Sequence, residues 1–393
     1  MTPAARVQAA IEVLDLVIAA AQAQGAPADR LLTDWLRTRR FAGSGDRRAV
    51  RDLVYRVIRA CGEVPANGRA AMLLLAQDDP ALASLFDGSR HGPQPIREGE
   101  PVARPGIAPD WLEKALAASG IKGAEALALL HRAPLDLRVN ALKAGREGLD
   151  LPVPAEPTVA PYGLRLPSGT PAEQWPAFVD GRIEVQDTGS QLACEAVAAL
   201  PGETVIDLCA GAGGKALALA ASMGNRGRVI ASDTDRARLS RLAPRAGRAG
   251  ATIIDTVLLD PGREDRALAD WQGRADAVLV DAPCSGTGTW RRNPEARWRL
   301  RPGEMDRLGA LQARLLDLAA TLVRPGGRLV FVTCSLLDAE GRDQADGFLA
   351  RHPEWRADPP VLPAGRAHGP GLRLTPHHDG TDGFFIARFV SPC

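Results

Sequence analysis

Lysine is nearly missing from this chain of 393 residues: only Lys114, Lys122, Lys143 and Lys215 stand among 48 basic residues. With the many Ala, Gly and Pro, this describes a bias towards arginine, and Lys215, inside a glycine-rich motif, marks a place where arginine does not serve. Cysteine is sparse and scattered. Cys61, Cys194, Cys209, Cys284, Cys334 and Cys393 form no CxxC pair and no Cys/His cluster at ligand spacing, which argues against a structural zinc site and predicts reduced thiols in a cytoplasmic, metal-free protein. Net charge is also lacking, at a formal +1, so a nucleic-acid partner has to be held by local basic patches. No long uninterrupted apolar run occurs: the amino-terminal one is broken by Glu12 and Asp15, which predicts an amphipathic helix and neither a signal peptide nor a membrane span.

The length predicts two or three domains. Val50, Leu53, Val54, Val57, Ile58 and Cys61 recur at the spacing of one buried helical face, so an all-helical domain with its linker is expected over 1–105. The linker itself is the Gly-, Pro- and charge-rich stretch 89–107. Residues 106–185 read as a connecting subdomain of no assignable fold. From 186 to 393, strand-like runs (VIDL, RVIASD, ADAVLVDAP, GRLVFVTCS) alternate with helical segments, the pattern of an α/β, mostly parallel, doubly wound sheet with helices on both faces.

VIDLCAGAGGKALALA leads from a buried strand through Gly211-Ala212-Gly213-Gly214 into a helix. Such a turn lets the backbone approach a ligand at a helix N-terminus, and by itself suits a dinucleotide, a nucleotide or S-adenosylmethionine. Asp233 closes the next strand about twenty residues on, where a carboxylate accepts from both ribose hydroxyls, so the combination indicates an adenosine cofactor. Asp260, after a third strand, is a candidate acceptor for the adenine amino group, with a solvated loop acid as the competing reading. A P-loop is excluded because Lys215 is followed by Ala216 and the spacing differs from GxxxxGK[ST].

Two further strands end in cysteine-bearing turns, placing Asp281 and Cys284 past one and Cys334 past the other. Ligands in open parallel sheets sit outside the carboxyl ends of strands, and neighbouring strands lie roughly 4.8 Å apart, so both thiols are expected at one crevice. That pairing suits methylation at cytosine C5, which becomes nucleophilic only after a thiolate adds to C6. A free thiol titrates near about 8.5, so the site is expected to favour the thiolate. Asp338 and Glu340 are read as the first turn of a helix whose positive end lies by Cys334 and does so. Cys284 is the candidate for release of the product, and Asp281, as a protonated carboxyl, for the N3 and N4 edge of the base.

These segments, DAPCSGTG, VTCS, CAGAGGK, VQDTGSQL and DGFF, resemble the Sun/Nop RNA cytosine-5 methyltransferases over roughly 130–390, and the amino-terminal helices look like a NusB-type RNA-binding domain. The resemblance implies a Rossmann-like methyltransferase domain, S-adenosyl-L-methionine as cofactor, RNA of the small ribosomal subunit as partner, Cys334 as nucleophile and Cys284 as the release residue. It implies cofactor contacts from Cys209, Ala210, Gly211, Ala212, Gly213, Gly214, Lys215, Asp233, Asp260 and Asp281. The family's usual CAAPGGKT is CAGAGGKA here, with Ala212 and Ala216 in place of proline and threonine. Transfer RNA or another ribosomal cytosine is an alternative substrate, and a non-catalytic RNA-binding assembly factor an alternative class, against which the intact Cys284 and Cys334 argue.

Two basic stretches are candidate RNA contacts: Arg39 and Arg40 beside Phe41, and TWRRNPEARWRLRPG after the Cys284 turn, with Arg291, Arg292, Arg297 and Trp298 placed to stack bases and hold phosphates. A solvated arginine face is the competing reading of both. A monomer and a looped or flipped target cytosine are expected.

Overall fold

The helical period seen around Val50 builds the first unit. In this computed structural model, which describes residues 1–393, helices α1 (Pro3–Gln22), α2 (Ala28–Arg37), α3 (Ser44–Ala60) and α4 (Gly68–Gln77) bury Leu14, Val17, Leu32, Val50, Val54, Val57, Ile58 and Met72 in one core. Helices α1 and α4 start on side chains suited to capping: Thr2 accepts from the Ala5 amide at 3.2 Å and Asn67 from Ala70 at 2.8 Å. The stretch 89–107 does not separate two cores. It folds back on the helices through Ala103 N–H to Ala70 O at 3.0 Å and Gly62 N–H to Arg104 O at 3.2 Å. The observed division falls later: Met1–His131 with Thr289–Pro302 forms one unit, Arg132–Gly288 with Gly303–Cys393 the other.

The inclusion of 289–302 in the helical unit corrects the expectation that this arginine- and tryptophan-rich stretch faces RNA. Arg297 is fully buried and Trp298 is 4% exposed, within the helical core. The Arg297 guanidinium donates to the carbonyls of Ile58 at 2.6 Å and Cys61 at 2.9 Å, groups left unpaired at the C-terminus of α3. Burial brings its pKa down to about 10. Glu295 accepts from Ala28 N–H at 2.9 Å at the start of α2, and Arg299 donates to Gly25 O at 2.8 Å and Ala26 O at 2.7 Å just past α1. The stretch is a strap that caps three helix ends, and it also buries Arg291.

The second unit holds two sheets. Residues 132–185, unassignable from sequence, form an antiparallel sheet of β1 (Leu135–Val139), β2 (Glu156–Pro157), β3 (Gly163–Leu166) and β4 (Ile183–Val185) in the order β2-β3-β1-β4, over a core of Leu137, Val139, Leu164, Leu166, Trp175 and Ile183. The larger sheet has nine strands: β5 (Thr204–Asp207), β6 (Arg228–Asp233), β7 (Ile254–Leu258), β8 (Ala275–Asp281), β9 (Val323–Thr333), β10 (Arg356–Ala357), β11 (Arg366–His368), β12 (Gly371–Leu374) and β13 (Phe384–Val390). Their order is β11-β12-β13-β9-β8-β5-β6-β7, with β10 on β13. β5 to β9 are parallel, but β10 to β13 pair antiparallel, so the sheet is mixed where sequence suggested a mostly parallel one. Successive residues point to opposite faces, Val205, Leu279 and Val332 into one core and Ile206, Val278 and Phe331 into the other, which is why these strands read as continuous apolar runs. No helix is long and apolar enough to cross a membrane.

Arg297→Met leaves the buried Ile58 carbonyl at the end of α3 without a donor and the Cys61 carbonyl with only the Trp298 indole N–H at 3.3 Å. The variant is expected to lose about 2–3 kcal/mol of stability in the helical unit, read by urea denaturation; a midpoint equal to wild type would show that the guanidinium is dispensable as a cap.

Candidate active site

The strand order β7-β6-β5-β8-β9 reverses direction between β5 and β8, and ligands of open α/β sheets sit outside the carboxyl ends of the strands at such a point. Beyond β5 the chain turns through Cys209, Ala210, Gly211, Ala212 and Gly213 into the helix Gly214–Ser222. Gly211 and Gly213 have φ of +56° and +83°, the left-handed region that favours glycine. A Cβ on Gly213 would lie 2.0 Å from Leu242 Cδ1, so the turn packs without space to spare. Asp233, the last residue of β6 and 7% exposed, accepts from Gly211 N–H and Asp235 N–H, each at 2.7 Å. It braces the turn as well as offering a carboxylate there. Asp260 is exposed, two residues past β7. Burial pushes the Cys209 thiol up, which fits a packed residue.

Lys215, in the first turn of that helix, makes an ion pair of 2.6 Å with Asp281 at the end of β8. Burial opposes the lysine's charge, but Asp281 outweighs it and raises its pKa. Asp281 is thus the ion-pair partner of Lys215. Sequence reasoning missed Asp207, the end residue of β5: it is fully buried and neither carboxyl oxygen has a hydrogen-bond partner. Burial, reinforced by the charge of Asp281, raises its pKa to about 7. The signal was available, since a carboxylate closing an apolar strand immediately before a glycine turn is costly to bury unless it serves something.

Cys284 and Cys334 come together, their sulfurs 3.4 Å apart and both partly exposed. The reason is register: β8 and β9 pair in parallel with Asp281 opposite Val332, and each cysteine follows within three residues. Behind them lies a buried polar network that sequence did not disclose. Glu340, 1% exposed, accepts from Ser285 N–H at 2.8 Å, from the Ser285 hydroxyl, and from Gln312 at 3.2 Å. Ser335 lies 3.2 Å from Ser285 and 3.1 Å from Thr287, whose hydroxyl accepts from Leu336 N–H at 2.8 Å. The hydrogen bond with Cys334, then burial and the charges of Cys334 and Glu340, push the Cys284 thiol well up. The expected helix dipole at Cys334 is absent: Asp338–Glu340 is one 3-10 turn and the α-helix begins only at Arg342.

Of the RNA candidates, Arg39 stacks over Trp35, 3.7 Å from the ring centroid, and pairs with Glu12 at 3.2 Å. Arg40 and Phe41 are exposed and Arg292 partly so, whereas Arg297 and Trp298 are interior and Arg291 is 8% exposed. No group of three or more His, Cys, Asp or Glu residues is placed to hold a metal ion.

The sheet, its reversal point and the glycine turn define a Rossmann-like methyltransferase. The chain belongs to the 16S rRNA methyltransferase RsmB/F family, whose profile matches residues 195–390. It is 38% identical over 298 residues to the probable ribosomal RNA small subunit methyltransferase B of Synechocystis, covering 71% of this chain and 66% of that one. The ribosomal RNA small subunit methyltransferase B of Xanthomonas campestris is 37% identical, over 74% and 68% of the two lengths. The match therefore spans about two thirds of these relatives. The crystal structure of PH0851 superposes with a TM-score of 0.73 at 25% identity over 99% of both chains.

Asp207 has a raised carboxyl pKa, so between about pH 4 and about pH 7 the folded protein binds more protons than the unfolded one and stability falls as pH rises. Asp207→Asn removes that titration. Its stability relative to wild type should be greater at pH 8 than at pH 5 by roughly 2–3 kcal/mol, measured by denaturation at both pH values; a pH-independent difference would mean that Asp207 does not titrate in this window.

Proposed function

We propose that this chain methylates C5 of a cytosine in 16S ribosomal RNA, using S-adenosyl-L-methionine and a covalent bond from Cys334 to the base. The observation that carries this reading is the pair of sulfurs 3.4 Å apart beside the glycine turn and the Lys215–Asp281 pair. The choice of 16S RNA rests on the description of the family, and it agrees with the small-subunit ribosomal RNA named for the relatives that are 37–38% identical. The turn fits the cofactor: Gly211 and Gly213 hold the left-handed backbone its sharp bend needs, and the carboxyl of Asp207, buried without a hydrogen-bond partner, is a counterpart for a cationic amino acid moiety. Cys209 to Lys215, with Asp233, Asp260 and Asp281, would hold it, and when bound it supplies an electrophilic methyl group.

The chain's residues provide the rest. Cys334 adds to C6 and turns the 5,6 double bond into an enamine whose carbon 5 is nucleophilic. Cys284, whose surroundings keep it protonated, donates its hydrogen bond to the attacking sulfur. Once Cys334 is bonded to the base, Cys284 gives its own proton to solvent water. After methyl transfer the resulting thiolate takes the C5 proton, the C5–H electron pair re-forms the 5,6 double bond, and Cys334 leaves C6 as thiolate. Asp281, with one oxygen engaged by Lys215, has the other for the N4 amino group. Exposed Phe41 with Arg40, and Arg39 beside them, make the helical unit, which we read as NusB-like, the part that holds RNA. The cytoplasm is the compartment this substrate implies.

Opposite phenotypes should separate the two thiols. With RNA lacking the modification and labelled S-adenosylmethionine, Cys334→Ala is expected to give no 5-methylcytosine and no adduct. Cys284→Ala should accumulate a protein–RNA adduct stable to denaturing electrophoresis, and the double variant none. Adduct formation by Cys334→Ala would reverse the assignment, and mapping the label to transfer RNA would redirect the substrate.

A further inference from the structure

The cofactor turn is made of residues with little intrinsic stiffness, Ala210, Gly211, Ala212, Gly213 and Gly214, yet it has to present its backbone in one conformation. Hydrogen bonds at its start and end are visible: Ala210 N–H donates to Ser232 O and Gly213 N–H to Ala210 O, each at 2.8 Å. At its crest, Arg245 Nη1 donates to the Ala212 carbonyl at 2.6 Å. The other terminal nitrogen, Nη2, donates to Glu184 Oε2 at 2.9 Å. Glu184 lies on β4, in the four-stranded sheet, and is only 3% exposed. Its second oxygen is taken by Arg248, whose guanidinium lies over the Phe178 ring at 4.0 Å. The turn that follows β1 of the same small sheet grips the helix carrying both arginines, since Asn140 donates to Ala249 O and Lys143 to Arg248 O, each at 2.7 Å.

We infer that Glu184 and Arg245 form a positioning clamp for the S-adenosylmethionine turn, so that the four-stranded sheet is a working part of the cofactor site and not only a connector. The inference rests on the reading of that turn as the cofactor site. A buried carboxylate fixes the planar fork of Arg245, and the fork holds the one carbonyl at the crest of the turn. Arginine suits the task because its nitrogens span two acceptors at once in fixed geometry, which the single ammonium of lysine does not. Neither residue need touch the cofactor or the base, so the clamp should act on cofactor affinity and leave the chemical step alone.

The test uses the full chain and three variants, Arg245→Met, Arg245→Lys and Arg248→Met. Calorimetry with S-adenosylmethionine should show about tenfold or greater weakening for Arg245→Met, with partial recovery in Arg245→Lys. At saturating cofactor the kcat should stay within about twofold of wild type, the mark of lost ground-state binding. Arg248→Met loses a Glu184 contact but none to the turn, and its affinity should change far less even if its Tm falls. Amide hydrogen exchange without cofactor gives an independent reading: residues 211–215 should exchange faster in Arg245→Met than in wild type or Arg248→Met. Unchanged exchange and affinity in Arg245→Met, or equal weakening in Arg248→Met, overturns the clamp. Failure of wild type to bind S-adenosylmethionine overturns the cofactor reading instead, while exchange still decides whether the clamp exists.

Discussion

Parallel pairing on both sides of the β5–β8 reversal is the constraint on which the site depends. β5 pairs with β6 on one side and β8 on the other, and β8 with β9, all running the same way. Every carboxyl end therefore opens at one edge, and Asp207, Asp233, Asp281, Cys284 and Cys334 reach it from four strands of different sequence position. A shift of one residue in the β8–β9 register would carry one cysteine to the opposite face and dissolve the sulfur pair. The apolar residues filling both faces fix that register, so the large core and the small reactive edge are one design.

Arginine does much of the supporting work outside that edge. Arg297 and Arg299 close helix ends in the first unit, and Arg245 holds the glycine turn in the second. Each uses a fork to satisfy backbone carbonyls that apolar packing leaves without donors. The exception is Lys215, a compact point charge paired with Asp281 and close enough to act on Asp207. An ammonium at that spot offsets two carboxylates without the planar bulk of a guanidinium lying across the turn.

The central strands, the glycine turn and the two cysteine turns were legible because each is a local pattern: a fully apolar run, then residues that only a special backbone or a special chemistry requires. What was not legible depends on distant partners. Val323–Thr333 reads as a strand, but nothing local says that Phe384–Val390 returns beside it antiparallel. Residues 132–185 alternate weakly because the sheet is short, with β2 only two residues long. TWRRNPEARWRLRPG looks like an RNA contact by composition, and the same donors and rings serve equally well as caps once three helix ends lie within reach. Glu340 misled in the same way: an acid before a helical run suggests a first turn, whereas here it is an interior acceptor for Ser285 and Gln312. Asp207 was legible as a carboxylate closing an apolar strand before a glycine turn, although its full burial is a property of the assembled sheet.

Two thiolates at the observed separation of 3.4 Å would repel by about 5 kcal/mol at an effective dielectric of about 20. The pair therefore favours one shared proton, and its surroundings decide where that proton rests. Glu340 stands behind Ser285, the residue after Cys284, and its charge adds to the causes that keep Cys284 protonated. Within the proposed reaction this asymmetry has a direct use. A proton held on Cys284 steadies negative charge on Cys334 before attack; once Cys334 is bonded to the base its charge is gone, and with it the largest contribution holding the proton on Cys284. The thiol that donates during attack is then better able to lose its proton, which the later removal of the C5 proton requires. The two roles need no conformational change between them, only the change in charge on one sulfur.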